Sequence, residues 1–586
     1  MEYRMKMNKP AAIFLLSLVL ILQLIIYAAH VGTGFVSDDF TWLGNVVVNG
    51  KVDYLRTFAT TIGFYRPLVN ITFGLQYHLH HLNPRPYGWF NLVLHLMNII
   101  LVFLLLSSVE ITRPYALPAA VLFAFNIKGP TMAVGWISGR TDLLFAFFML
   151  LSLIEYLEVR RQNVQKKRSL RRIFQYFVVG ITYFAALLSK ETAVALPVFV
   201  FLVSFFIREK ENTSTNEHLP YVKRIQNAFQ CTVVFLIPLI LYCFMRFNSN
   251  AFGPFNAPGN YRYNLAPMAI LKNFFEYITR AGMLDIMIIL WLLIIFLFTR
   301  RKTKPPVYCQ TKNDGNSTAR RAIKSFSGGP GGRFFKKAPL AVGDGIQGQV
   351  LMAGAFWFIC FQLPTLFLPL RSDIYIYVPQ PGLHVMALPI IFYLYKKTSS
   401  SIRKKLNQSI IFLPIGIFIL IYIVSLAFIA ADYGAAGKNS AVFTRQVRRS
   451  VSKIPDGNRI VIIDLEAGRK LSPSVTVTHG FYALLNLYYP HKGLWGEIIS
   501  PGRTAQIDYD KSKLIFFFWG NGCLAGPFDH EGITALMSSF YPFPSRFDKK
   551  PQEPEERLFR LKKRKMRLRQ LKPREKQREN PPVPKE

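Results

Sequence analysis

Acidic residues are scarce in this chain, and cysteines scarcer. Against 71 Lys and Arg stand 33 Asp and Glu in 586 residues, a formal net charge of +38. An excess of that size can serve nucleic acid, but membrane proteins owe it to loops held on the cytoplasmic side, so its distribution decides between the two. The five cysteines, Cys231, Cys243, Cys309, Cys360 and Cys523, show no ligand spacing and lie mostly in or beside apolar runs. That argues against a disulfide framework and against a zinc site. No internal repeat period is present, which removes solenoid architectures. A small-residue cleavage site is also lacking after Tyr27-Ala-Ala-His30, so the first apolar run reads as an uncleaved span.

Apolar residues are abundant: 51% of the chain is hydrophobic, 15% aromatic, and Phe alone occurs 51 times. Many of them fall in runs near the ~20 residues a helix needs to cross a bilayer. Such runs lie near 10–30, 88–109, 115–128, 139–158, 173–189, 192–207, 227–246, 282–299, 349–370, 383–395 and 409–430. The expected fold is therefore an all-α polytopic membrane protein of about eleven spans, with a small C-terminal α/β soluble domain. Threading from an inside N-terminus puts 160–172, 208–225, 300–348 and 396–408 in the cytoplasm. Those segments hold Arg160-Arg161, Lys166-Lys167-Arg168, Arg171-Arg172, Arg300-Arg301-Lys302, Lys336-Lys337 and Arg403-Lys404-Lys405, as the positive-inside rule requires. The charge thus belongs to membrane topology, and no nucleic-acid partner is expected. Domain expectations are a membrane domain over 1–430 (first outer loop 31–87, cytoplasmic linker 300–348 with its Gly/Pro run 327–332), an extracytoplasmic soluble domain over 431–545, and a basic tail over 546–586. Strand-like runs Arg459–Asp464 and Lys513–Phe518 mark the soluble domain. In the tail, Arg557 to Arg578 holds twelve Lys or Arg against Glu575, fitting either a basic helix or a solvated tail. The sequon Asn316-Ser-Thr318 falls inside in this threading and is expected to go unused.

Unusual residues gather on the side opposite the basic loops. Asp38 and Asp39 stand just beyond the first span. A loop turn explains such a pair, and so does a general base at the interface that accepts a proton from an acceptor hydroxyl. Two carboxylates could also hold a divalent cation, although two ligands are few for a metal site. No other cofactor is indicated. The first loop continues through Tyr65-Arg66-Pro67-Leu68 to His78, His80 and His81, whose spacing suits packing better than metal. Asn91, His95 and Asn98 then form one helical stripe, fitting helix–helix hydrogen bonds or a ligand equally well. Arg140 and Asp142 open a later span, where they either snorkel or bind. Lys190 and Glu191 sit in a turn, where they can neutralise one another. Arg371 and Asp373 precede Tyr375 and Tyr377, and Arg is suited to bidentate phosphate binding.

In this order the segments resemble the GT-C glycosyltransferases, most closely the branch of protein O-mannosyltransferases and their relatives carrying tetratricopeptide repeats. The likeness spans roughly residues 10–395 and rests on Asp38-Asp39, Tyr65–Leu68, the Asn91/His95/Asn98 stripe, Gly139-Arg140-Thr141-Asp142, Ser189-Lys190-Glu191, and Arg371 with Tyr375, Tyr377, Pro379 and Gly382. It implies a polyprenyl-phosphate sugar as donor and an outer-loop acid as base, Asp39 first and Asp38 second. Arg66, Arg140, Lys190, Arg371, Tyr375 and Tyr377 become donor-binding candidates, with Asp142 and Glu191 as orienting acids. Two departures stand out: Asn126-Ile-Lys-Gly-Pro130 and the Met132–Gly135 run occupy a turn where relatives tend to carry His and Glu, and the repeats are absent.

The competing readings are a transporter or lipid flippase and a non-catalytic membrane scaffold. The polar residues lie at one face and not at the midplane, which favours interfacial catalysis over transport. Expected partners are the lipid-linked donor, membrane lipids, and an acceptor protein, glycan or lipid. The expected membrane is a bacterial inner membrane, with the endoplasmic reticulum membrane as alternative.

Overall fold

The structure is a computed structural model that describes residues 9–61, 63–162, 170–207, 221–253, 257, 259–300, 346–402, 409–467, 469, 471–500 and 513–529. Several features read from sequence lie outside these residues: the basic clusters 166–168, 301–302, 336–337 and 403–405, the Gly/Pro run 327–332, Asn316, and the tail 546–586. Two units are distinguished, Met1–Pro527 and Phe528–Glu586; of the second only 528–529 are described, so the following concerns the first.

Its helices in chain order are α1 Lys9–Ala28, α2 Asp38–Val46, α3 Pro67–His80, α4 Pro84–Ser108, α5 Ala116–Ala124, α6 Gly129–Gly135, α7 Arg140–Gln162, α8 Leu170–Ser189, α9 Leu196–Phe206, α10 Tyr221–Asn248, α11 Pro267–Arg300, α12 Ile346–Leu366, α13 Gln380–Ile402, α14 Ser409–Val451, α15 Pro473–Thr476 and α16 Phe481–Tyr488. Each of the eleven apolar stretches falls mostly in helix, with 29–30, 125–128 and 367–370 lying in the turns that follow. Among the described residues seven helices are long and apolar enough to cross a membrane: those at 10–28, 84–108, 170–189, 221–248, 267–298, 347–366 and 411–451. An eighth arises if 113–124 and α6, bent by 56°, count as one span. Length and composition therefore support a multi-pass membrane protein and do not by themselves reach eleven: α9 is short, and α7 and α13 end in polar residues.

Local chemistry sets the helix ends and bends. Proline starts α3, α4 and α9, where its missing N–H costs nothing and its φ is already helical; the Asn83 side chain caps α4 by accepting from Arg85 N at 3.2 Å. Between α5 and α6 the Asn126 side chain accepts from Lys128 N (2.9 Å) and donates to the carbonyls of Arg280 (3.3 Å) and Ala281 (2.8 Å). Those carbonyls lie at a kink in α11, where Gly282 leaves helical geometry (φ −120°, ψ 21°), so one amide secures two interruptions. Where the loop after α1 crosses α4, Gly32 has φ +62° and a Cβ there would lie 2.6 Å from Arg85 Cα. Only glycine fits both constraints.

The first loop is structured. After α2 comes a hairpin, β1 Val47–Val48 and β2 Lys51–Val52, turned at Asn49-Gly50 with both φ positive, the signature of a two-residue turn. At the other end of the unit, α14 continues past residue 430 to Val451, so the boundary expected there falls inside one helix. It leads into a sheet of order β4-β3-β5-β6, from β3 Arg459–Asp464, β4 Trp495–Ile499, β5 Leu514–Gly520 and β6 Cys523–Phe528. Strand β3 runs parallel to both β4 and β5 and is buried from Ile460 to Asp464, which is why it reads as an unbroken apolar run and not as an alternation. Phe443 of α14 packs against Phe481 and Trp519 at 6.0 and 5.1 Å between ring centroids, joining this lobe to the main core.

Candidate active site

Asp38 and Asp39 open α2, and their environments differ. Asp39 is 1% exposed. Its Oδ2 accepts from Val36 N (2.7 Å), and its Oδ1 from Ser138 N (2.7 Å) and Ser138 Oγ (2.5 Å). Burial pushes its carboxyl up to about 7, against the pull of these donors. Asp39 thus fastens the first loop to the turn that starts α7. Asp38 is only half-buried. Burial raises its carboxyl too, while His479, the Ser37 side chain and Arg66 pull it back. The order read from sequence, Asp39 before Asp38, meets a geometric objection: an enclosed carboxylate whose oxygens already accept three bonds has little access to an acceptor.

Two groups of opposed charges accompany this pair, and Arg66 of the first lies within electrostatic reach of Asp38. In the first, Lys190 Nζ contacts both Asp142 oxygens at 2.6 Å, both side chains being 5% exposed, and sits 5.3 Å from the Tyr375 ring centroid. Arg66 grips Glu191 through two parallel bonds of 2.9 and 2.7 Å, the fork geometry that suits arginine to carboxylates and phosphates. The neutralisation expected between neighbours Lys190 and Glu191 is therefore replaced by pairing with distant partners. Lys190 is extended (φ −158°, ψ 136°), a conformation in which successive side chains point apart. Arg246, bonded to Tyr242 Oη and Phe252 O, adds a third cation near Glu191.

In the second group Arg371 meets Asn273 Oδ1 (2.6 Å) and Glu276 Oε2 (2.9 Å), Arg280 meets Asp373 (2.8 Å) and Glu276, and Lys128 meets Asp373 (3.4 Å). Lys128, Glu276 and Arg280 were not among the residues singled out from sequence. Glu276 and Arg280 stand i, i+4 at the head of an apolar run, a readable signal. Lys128 sits in the turn between α5 and α6.

Other candidates occupy different places. Arg140 is fully buried, its guanidinium 4.2, 5.1 and 5.5 Å from the ring centroids of Phe73, Phe90 and Tyr87; it presents no surface to a donor. Tyr377 is also fully buried, its hydroxyl 2.9 Å from His95 Nδ1 and accepting from Asn98 Nδ2 at 3.1 Å. Asn91 donates to the carbonyls of Ala133, Trp136 and Ile137, and Asn98 also to that of Leu143. The stripe thus packs α4 against the α6–α7 turn. His78, His80 and His81 lie exposed at the surface. Among the described residues no group of three or more His, Cys, Asp or Glu could hold a metal.

By the length and composition of its helices the chain is a multi-pass membrane protein. More specifically, residues 36–250 match the family model described as dolichyl-phosphate-mannose-protein mannosyltransferase. A protein O-mannosyl-transferase of Caenorhabditis elegans is 30% identical over 163 residues, 25% of this chain and 24% of that protein. A Drosophila melanogaster protein O-mannosyl-transferase is 29% identical over 189 residues, 30% of this chain and 20% of that one. The matched region therefore spans a quarter or less of these relatives' length. The apo oligosaccharyltransferase of Archaeoglobus fulgidus aligns in shape over 80% of this chain and 64% of its own, at 15% identity and a TM-score of 0.44.

Proposed function

We propose that this chain is a glycosyltransferase that moves a sugar, mannose first among the options, from a polyprenyl-phosphate-linked donor to an acceptor hydroxyl. The observation that carries the reading is the combination of a partly accessible acid, Asp38, near Arg66, with two charge networks that each hold one more cation than acid: Arg66, Lys190 and Arg246 with Asp142 and Glu191, and Lys128, Arg280 and Arg371 with Glu276 and Asp373. The family match over 36–250 points the same way. Asp38 takes the proton of the attacking hydroxyl; Asp39 holds the helix that presents it. The donor phosphate meets the cations, with the Tyr375 ring 5.3 Å from the Lys190 ammonium. Asp142 orients Lys190, and Glu191 orients Arg66.

The site faces outward in this reading. Arg140 and Asp142 begin α7, while Arg160 and Arg161 end it, about 30 Å away at 1.5 Å per residue. Arg171 and Arg172 begin α8, whose other end leads into Lys190. Cations favour the cytoplasm, which leaves the acid pair on the extracytoplasmic side, periplasmic in a bacterial inner membrane and luminal in the endoplasmic reticulum. The test is sugar transfer from a polyprenyl-phosphate mannose by the purified full chain and its Asp38→Asn variant. A general base contributes about 10²- to 10⁴-fold, so the variant should lose that factor while remaining folded. Transfer at the wild-type rate in the variant would remove Asp38 as base.

A further inference from the structure

The loop that delivers the acid pair, 30–37, is gripped by two stretches of chain beyond residue 430. The first is α14. Thr33 Oγ1 donates to Gly434 O at 2.8 Å, and the buried Ser440 Oγ donates to Phe35 O at 2.5 Å. Between these bonds a Cβ on Gly34 would overlap the Gly437 carbonyl, and a Cβ on Gly437 would overlap Thr33 Oγ1. Gly434, Gly437 and Ser440 thus form a stripe of small residues that the loop itself fills, since small side chains let two backbones approach closely. The second stretch is 472–483. Ser37 N donates to Thr476 O at 2.6 Å, Thr41 Oγ1 donates to His479 O at 3.2 Å, and a Cβ on Gly480 would overlap Ser37 O. Phe443, three residues past Ser440, packs on Phe481 and Trp519 and so ties the stripe to the lobe. The membrane body meets the same loop through Trp136 Nε1, which donates to Val36 O at 3.3 Å. The ion pairs of both charge networks, in contrast, lie between residues 66 and 373.

We infer that α14 beyond residue 430 and the lobe it carries form a cradle that places the base, with Gly437, Ser440 and Gly480 as positioning residues acting through the 33–37 backbone on Asp38. This rests on reading Asp38 as the base. In the step it serves, the acceptor oxygen bonds to the anomeric carbon and the bond from that carbon to the phosphate oxygen breaks. Its electron pair leaves on the lipid phosphate, and the hydroxyl proton ends on Asp38. No atom of the cradle enters these bonds. A base must stand within hydrogen-bond reach of the proton it takes, and a misplacement of about 1 Å costs roughly 10²-fold. Because the charge networks are paired elsewhere, loosening the cradle should slow transfer and leave donor binding intact.

Three full-length variants in detergent test the inference. Gly437→Ala drives a methyl group into Thr33, Ser440→Ala removes the bond to Phe35 without adding volume, and Gly416→Ala makes the same glycine change on α14 where a Cβ meets nothing within 4 Å. Amide hydrogen exchange across 31–46 should accelerate in the first two and stay at the wild-type rate in the third. With polyprenyl-phosphate mannose as probe, kcat should fall roughly 10²-fold in Gly437→Ala and less in Ser440→Ala, while direct binding of that donor is unchanged in both. Should Gly437→Ala fail to fold, Ser440→Ala carries the test. Unchanged exchange in the folded variants overturns the cradle. Faster exchange with wild-type kcat, or equal losses of kcat and donor affinity, overturns the positioning role. Faulty premises show differently: wild-type turnover in Asp38→Asn rejects that base, and wild-type protein without transfer rejects the glycosyltransferase reading, while hydrogen exchange still decides whether the loop is clamped.

Discussion

Replacing Lys190 by methionine keeps a long apolar stem and removes the ammonium, leaving the Asp142 carboxylate 5% exposed with its cation gone. Nζ lies 2.6 Å from both oxygens, so the loss is of a close, enclosed pair and not of a screened surface contact. Breaking such a pair by removing one partner costs roughly 3–5 kcal/mol, because a charge is stranded away from water. Asp142→Leu should cost a similar amount. Replacing both, Lys190→Met with Asp142→Leu, strands nothing and should recover most of the stability, since buried ion pairs often exchange for apolar residues at little cost. The assay is the temperature at which each protein loses its monodisperse peak in detergent, run beside sugar transfer. The expected pattern is two destabilised single variants and a stable double variant that still fails to transfer, because the cation facing the donor is gone. Unchanged heat resistance in both single variants would refute the burial argument. A double variant with wild-type turnover would refute a role for Lys190 in donor handling, leaving the pair as scaffold.

The pH dependence of stability should carry the mark of Asp39, whose carboxyl lies near 7 in the fold against an ordinary value of 3.8. The folded protein keeps that proton over a range where the unfolded chain has released it, so the contribution is fully present below pH 3.8 and lost as pH rises towards 7. The stake is on the order of 4 kcal/mol, and the heat resistance of wild type relative to Asp39→Asn should fall between pH 4 and 7; a flat difference would contradict it. Arg371→Gln should raise the KM for donor more than it lowers kcat, with an unaltered KM in steady-state transfer as the contrary result. A cysteine introduced at the exposed Leu55, in a background without Cys243 and Cys523, should react with a membrane-impermeant thiol reagent in intact cells. Reaction only after permeabilisation would withdraw the outward-facing site.

The apolar runs made the helices legible, because length and hydropathy are properties of contiguous residues. The β3 and β5 strands were legible for the same reason, as short β-branched and aromatic runs between turn residues. Tertiary partnership was not. Nothing near Lys190 in sequence shows that its carboxylate is Asp142, 48 positions earlier, or that Glu191 turns instead to Arg66. The stripe of Asn91, His95 and Asn98 was legible as a polar face, but only coordinates show that main-chain carbonyls and the Tyr377 hydroxyl consume it. Asp39 and Arg140 were found by type while their burial was not, since exposure is not written in residue identity. The cradle went unread because the segments that form it meet the acid loop and α2 across more than 400 positions of chain.

The way these charges are tied bears on how the site can favour reaction over mere binding. Arg66, Lys190, Arg280 and Arg371 are each already bonded to a carboxylate, so their positions are fixed before any donor arrives and need little reorganisation afterwards. A sugar phosphodiester brings one negative charge, which either network can meet with its single surplus cation. In the proposed transfer, as the anomeric carbon–oxygen bond breaks, the departing lipid phosphate gathers a second negative charge. Two surplus cations, one in each network, are better matched to that product-like distribution than to the donor at rest. Interactions that strengthen along the reaction coordinate accelerate it, whereas those equally strong at the start only tighten binding. Neutralising one surplus, as in Arg246→Gln, should therefore depress kcat more than donor affinity, measured by steady-state transfer against direct binding of the lipid-linked sugar. Equal losses in both would assign the cations to binding alone.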